Sequence, residues 1–251
     1  MVSIDVFRAC VIMKRISEQK NSLNAEQVFD VSAKRYDAWY DKPFGKSAFN
    51  LEKACMESLS TNLKRPFLDV GVGTGRFAQA LQVDYGIDVS TEVLKFAKQR
   101  RIMVVKGEGE GLPFVDSFFG AVLIIVTLCF VDEPVKVLKE ASRVLKQDGA
   151  VILGLILKES PWASFYRKKG EAGNIFYQIA KFYSFDELKA MSGKAGLKIV
   201  EVNSTMFQSP TENPLHFESP KSGYFKEAGF VAVKLGKINP QPAHCRQSIS
   251  P

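Results

Sequence analysis

Histidine is nearly absent from this 251-residue chain, which has only His216 and His244. That argues against metal chemistry built on clustered imidazoles. Four cysteines, Cys10, Cys55, Cys129 and Cys245, stand far apart with no Cys-x-x-Cys pair among them. Neither a zinc site nor a disulfide framework is indicated, no metal is expected, and a reducing, cytoplasmic setting fits best. Long hydrophobic runs are missing too. No span reaches the ~18 uncharged apolar residues of a transmembrane helix, so no membrane partner is expected. The tempting segment "VFRACVIMKRIS" is short, carries Arg8, Lys14 and Arg15, and lacks a small-residue cleavage site. It reads as an amphipathic arm or as an extension over residues 1–24. Basic charge is in excess, with 34 Lys and Arg against 27 Asp and Glu, but it is scattered, and Arg167-Lys168-Lys169 is the densest cluster. Without interleaved aromatics, that excess reads as solvated surface, and a nucleic-acid partner is not expected. Internal repeats and low-complexity tracts are also lacking.

What is present is enough apolar residue, 46 %, for one large α/β domain or two small ones. Asn24 and Gln27 form a capping box, and Phe29, Ala33, Tyr36 and Tyr40 follow at helical spacing. This predicts a helix ending near Asp41-Lys42-Pro43, then another from about Ser47 to Asn62. "PFLDV", "VDYGIDVS", "IMVVKG", "GAVLIIVTLCF" and "AVILGLIL" read as strands, with helices between them from Thr74 to about Leu81, after Ser90, and from an Asp132 cap through Leu145. Strand and helix alternate from Pro66 to Leu157, which argues for βαβ units and a parallel sheet. Residues 158–183 break the pattern with an aromatic-rich stretch. Ser184 and Glu187 then open another helix, and "LKIVEV" and "GFVAVKL" close the fold as strands. The domain is expected over 25–236, followed by a mobile polar tail over 237–251.

The segment "FLDVGVGTGRFA" sets Gly71, Gly73 and Gly75 between a strand and a helix, the context of a nucleotide site. A dinucleotide fingerprint requires a third glycine where Arg76 stands, and the lysine of a P-loop is missing. Asp69, before the loop, disfavours a polyphosphate and suits a cationic ligand, or it simply caps the turn. Asp88, at the next strand's end, can accept two hydrogen bonds from the hydroxyls of a ribose. Glu108 ends the third strand and is either a ligand contact or a solvated turn acid. Three acids at successive strand ends would line one crevice, the usual ligand position in open α/β sheets.

"FLDVGVGTGRFA", "YGIDVS", "GEGEGLPF" and "FFGAVLIIVTLCFVDEPVKVLKEASRVLKQDG" occur in that order. Together they resemble the class I S-adenosylmethionine-dependent methyltransferases, more narrowly the small-molecule branch that includes quinone-biosynthesis domains. The resemblance covers about residues 28–236. It implies a Rossmann-like seven-stranded, mostly parallel sheet with helices on both faces and the last strand antiparallel. It implies S-adenosylmethionine as cofactor, with Gly71, Gly73 and Gly75 under its methionine part and Asp69 near the sulfonium and amino end. Asp88, with Val89 beside it, would hold the ribose, Glu108 and Gly109 would border adenine, and Thr127 would border cofactor and acceptor. Two positions depart from the family: Gly120 where Asp is usual, and "KQDG" for the usual "KPGG" turn.

The expected activity is in-line methyl transfer to a small-molecule acceptor beneath a cover formed by residues 158–183. The alternative is a catalytically inactive cofactor-binding or regulatory protein of the same fold. Tyr36, Trp39 and Tyr40 are either packing aromatics or a lid. His216 is a surface residue by default and the only imidazole in the body of the domain available as a base. No catalytic residue is assigned.

Overall fold

The computed structural model describes residues 24–238. The extension expected over 1–24 and the tail from 237 onward therefore lie, but for their innermost residues, outside the described residues. Two helices precede the sheet: α1, Ala25–Trp39, and α2, Pro43–Ser60. The Asn24–Gln27 capping box closes both ways, with each side chain accepting from the other's backbone amide. The second helix begins four residues before its expected start. Pro43 occupies its first turn, where a fixed φ and a missing N–H suit a helix. Ser47 does not cap; its hydroxyl donates to the Phe44 carbonyl and accepts from the Leu215 amide.

Strands and helices then alternate: β1 Phe67–Val70, α3 Arg76–Ala80, β2 Tyr85–Asp88, α4 Thr91–Gln99, β3 Met103–Lys106 and β4 Phe119–Ile125. After a 3-10 turn at Leu128–Phe130 come α5 Pro134–Val144, β5 Leu145–Leu155, α6 Pro161–Glu171, α7 Ile175–Ile179, α8 Phe185–Lys194, β6 Leu197–Thr205, β7 Lys221–Ser222 and β8 Phe230–Lys237. The third helix is shorter than expected because Gly75, at φ 80°, is its N-cap. Ser90 and Ser184 cap α4 and α8 as expected. Asp132 does not cap α5. Glu133 takes that place without a side-chain bond, Pro134 opens the helix, and the Asp132 carboxylate lies 3.4 Å from Lys181 Nζ.

The sheet runs β3-β2-β1-β4-β5-β8-β6-β7. Strands β3, β2, β1, β4 and β5 pair in parallel, and β8 enters antiparallel between β5 and β6. The expected architecture is present, with one addition. An eighth strand, the two-residue β7, pairs antiparallel with β6 at the edge and is too short to leave a sequence signal.

Pleating divides the core in two. Ala121, Leu123 and Ile125 of β4 face one cluster, with Leu51, Cys55, Met56 and Leu59 of α2 and Phe77 of α3. Val122 and Ile124 face the other, with Val137, Leu138, Ala141 and Val144 of α5 and Leu188 of α8. Helices cover both faces, so the inner strands are apolar throughout. Gly120 finds its reason here. A Cβ at this position would run into the Lys64 carbonyl, so the aspartate usual in the family has no room. Strand order reverses between β1 and β4, the topological switch point where such sheets bind ligands at their carboxyl ends.

Candidate active site

A cavity of about 790 Å³ opens at that switch point, within the size range of small-molecule sites. Gly71 and Gly73 border it after β1, Asp88 and Val89 after β2, Glu108 and Gly109 after β3, and Thr127 after β4. Seven of the nine residues singled out in the sequence therefore come together in its lining. Asp69 and Gly75 stand outside it.

The glycine loop is held by backbone and by one acid. The amides of Gly71 and Val72 both donate to the Ile87 carbonyl, at 2.8 and 3.0 Å. Gly73 N–H donates to Asp88 Oδ2 and Ser90 N–H to Asp88 Oδ1, each at 2.9 Å. Burial raises the Asp88 carboxyl above its ordinary value, against the opposing pull of the Ser90 and Gly73 amides that donate to it. A carboxylate has about four lone-pair sites, so two backbone amides leave capacity for a diol. Gly71 has φ 75° and Gly73 φ 52°, a region that side-chain-bearing residues avoid. A Cβ at Gly71 would also collide with the Thr127 side chain. At Gly73 a Cβ would only touch the Tyr36 ring, 3.6 Å away.

Asp69 is 2 % exposed, and its Oδ1 has no hydrogen-bond partner. Burial first, then the charge of Asp88, pushes its carboxyl well above the usual range.

Helix α1 closes one side of the cavity, where Asn24, Phe29 and Tyr36 join the lining. Phe29 sits edge-on to Tyr36 and to Phe130, at 5.4 and 5.2 Å between ring centres. Trp39 and Tyr40 do not line it; they pack into the core beneath. Sequence reasoning missed how this helix is fastened. Arg76, read only as a missing glycine, donates to both Asp37 carboxylate oxygens at 3.0 and 2.9 Å and to Asp41 at 2.8 Å. Arg100 reaches Asp37 as well and donates to the Thr74 carbonyl at 2.7 Å. Burial works to raise the Asp37 carboxyl, but Arg76 and Arg100 hold it below its ordinary value. Asp37 thereby ties α1 to the glycine loop.

The cover supplies a further part of the lining through Gln178, Ile179, Ala180 and Lys181, with Phe176 packed against Phe29 and Tyr36 of α1 at 5.3 and 5.8 Å between ring centres. A second, apolar pocket of about 30 Å³ lies next to it, lined by Cys129, Leu157, Tyr177 and Phe182 among others, with room for roughly one water. Val126 borders both spaces. It is a β-branched residue at φ 51°, an uncommon strain at a site border, and its amide donates to the Gly154 carbonyl at 2.8 Å. His216 is exposed and away from both spaces. Among the described residues no group of three or more His, Cys, Asp or Glu could hold a metal ion, and no helix is long and apolar enough to cross a membrane.

A methyltransferase-domain family model matches residues 68–153. An uncharacterised protein of Mycobacterium tuberculosis is 37 % identical over 201 residues, spanning 80 % of this chain and 70 % of its own length. A demethylmenaquinone methyltransferase of Renibacterium salmoninarum is 32 % identical over 148 residues, 56 % of this chain and 62 % of its own. Among solved structures, a methyltransferase of Thermotoga maritima superposes with a TM-score of 0.77 at 32 % identity, covering 85 % of this chain and 99 % of its own. It is described as an S-adenosylmethionine-dependent methyltransferase, "possible histamine N-methyltransferase".

Proposed function

Because this chain belongs to the class I S-adenosylmethionine-dependent methyltransferases, we propose that it transfers a methyl group from that cofactor to a small-molecule acceptor. One observation carries the reading. The same cavity is bordered by Gly71, Gly73 and Asp88 at the strand ends and by Gln178 and Lys181 of the cover, so one cavity would serve donor and acceptor together.

The residues fit the cofactor. Asp88 keeps lone pairs free for the ribose hydroxyls, and Gly73 presents bare backbone to the cavity. Val89, Glu108 and Gly109, which line the same cavity, would border the adenine. Asp69, buried near the end of β1, stands outside the cavity lining and is assigned no direct contact with the cofactor. When bound, S-adenosylmethionine supplies a methyl on a sulfonium, which departs as a neutral thioether. The chain's task is then alignment and exclusion of water. Tyr36, Thr127 and Val126 stand where the two ligands would meet, and Phe29, Phe130 and the cover wall off solvent.

The alternative, an inactive binding protein with the same fold, would be favoured by a cover closed against the cofactor site. The cavity's reach to Gln178–Lys181 supports the enzyme. The test is incubation with methyl-labelled S-adenosylmethionine and an acceptor panel. Nitrogen acceptors come first, after the Thermotoga relative's description, and quinone precursors second, after the Renibacterium relative's name. Labelled product with formation of S-adenosylhomocysteine is expected. No transfer to any acceptor, with cofactor bound, would favour the inactive protein.

A further inference from the structure

Asp88 is held in place by a residue of α1 that never touches it. The two Asp88 oxygens each accept one backbone amide, Oδ2 from Gly73 and Oδ1 from Ser90, at 2.9 Å. Ser90 is in turn tied to α1. Its hydroxyl donates to Asp30 Oδ1 at 2.6 Å, while the same hydroxyl oxygen accepts from the Val93 amide at 3.3 Å and caps α4. Asp30 Oδ1 also accepts from the Glu92 amide at 3.2 Å. One carboxylate of α1 is thus joined to the turn after β2, 60 positions on in the chain.

A hydroxyl has one proton to give. Ser90 is fully buried, and among the described residues Asp30 is the acceptor of that proton. Without Asp30 the proton is left unanswered in a place closed to water, which is costly. Residue 90 then has to turn to find a partner, and it carries with it the amide that orients Asp88. The link is separate from the seat of α1. That helix stays fastened through Glu26 to Lys106 at 2.9 Å and through Asp37 to Arg76 and Arg100. Asp30 does not line the cavity, although Phe29 beside it does. It reaches a ligand there only through Ser90 and Asp88.

Building on the methyl-donor reading, in which Asp88 takes the ribose hydroxyls, we propose that Asp30 is a positioning residue for the nucleoside. Through Ser90 it fixes the direction in which Asp88 presents its free lone pairs to the diol. A fixed acceptor binds better because little is left to order when the ligand arrives. Helix α1 therefore contributes twice, with Phe29 and Tyr36 in the cavity wall and with Asp30 in the grip on the ribose. A ligand without the two hydroxyls gains nothing from Asp30.

The test is a double-mutant cycle read by calorimetry with S-adenosylhomocysteine, on wild type, Asp30→Ala, Asp88→Ala and the double variant. Asp30→Ala is expected to weaken binding about five- to tenfold when Asp88 is present, and by less than about twofold once Asp88 is replaced. Asp30→Asn keeps an oxygen that accepts from Ser90 and should stay within about twofold of wild type. Adenosine should lose affinity on Asp30→Ala, and 2′,3′-dideoxyadenosine should not. A role in stability alone would move the melting temperature and weaken S-adenosylhomocysteine equally in both backgrounds. That result, or an unchanged affinity in Asp30→Ala, overturns the proposal. Should Asp30→Ala not fold, Asp30→Glu, which moves the carboxylate by one methylene, goes through the same cycle with the same expectation. A wild type that binds no S-adenosylhomocysteine strikes the methyl-donor reading and this proposal with it. Binding with additive losses strikes this proposal alone.

Discussion

The Gly73 amide donates to Asp88 Oδ2 at 2.9 Å, so the acid that faces the cavity also fixes the glycine loop beside it. One side chain couples the end of β2 to the turn after β1. Replacing Asp88 by Ala removes both the loop's anchor and the acceptor for a ribose diol. S-adenosylhomocysteine affinity should fall by roughly 1–3 kcal/mol, about 5- to 150-fold, as measured by calorimetry. Asp69→Asn, which keeps shape outside the cavity, should cost less than Asp88→Ala. An equal or larger loss from Asp69→Asn would mean that Asp69 contacts the cofactor directly.

The two loop glycines should fail differently. At Gly71 an added methyl meets the Thr127 side chain, so Gly71→Ala should lower the melting temperature as well as cofactor affinity. At Gly73 the methyl makes only ordinary contact with Tyr36. Gly73→Ala should cost about 1 kcal/mol of stability from its left-handed backbone, and its larger effect should be on S-adenosylhomocysteine binding, since the methyl projects beside the ligand path. Thermal melts paired with calorimetry separate the two.

Asp37 accepts from Arg76 and Arg100 at once, with side chains 12 %, 21 % and 16 % exposed. A double-mutant cycle on Arg76→Ala and Asp37→Ala should give a coupling energy of about 1–3 kcal/mol, above that of an exposed pair. Because this pairing holds α1 over the cavity, each single variant should also weaken S-adenosylhomocysteine. A coupling near zero in chemical denaturation would show that the pair is incidental.

Glu52 has a pH signature independent of any ligand. Its folded-state carboxyl is raised from 4.5 to about 8 by burial, so the folded chain binds the extra proton. The stability this contributes is fully present below about pH 4.5 and is lost as pH rises through about 8. Relative to Glu52→Gln, the wild type should lose stability between pH 5 and 8, by at most about 5 kcal/mol. Parallel melting curves across that range would show that Glu52 ionises freely in the folded chain.

The alternation of buried strands and capped helices was legible because each β-α unit repeats one pattern, and the Asn24, Ser90 and Ser184 caps mark helix starts locally. The glycine loop, Asp88 and Glu108 were legible because successive strand ends share one edge. The Asp37–Arg76–Arg100 cluster was not, since pairs 39 and 63 positions apart leave no periodic trace. Pro43 and Pro134 shifted two helix starts by doing at the first turn what a side-chain cap would otherwise do. Glu52 had a signal that went unread, an acid on the apolar stripe of Ala48, Cys55 and Leu59.

The central claim is that the crevice at the carboxyl ends of β1, β2 and β3 holds the nucleoside of a methyl donor. The most direct measurement is calorimetric titration of wild type and Asp88→Ala with S-adenosylhomocysteine and, separately, with NAD. Micromolar binding of S-adenosylhomocysteine, weakened by Asp88→Ala, with NAD bound weakly or not at all, is the predicted result. Binding of NAD alone, or of neither, would contradict the account and leave the methyltransferase fold serving another ligand.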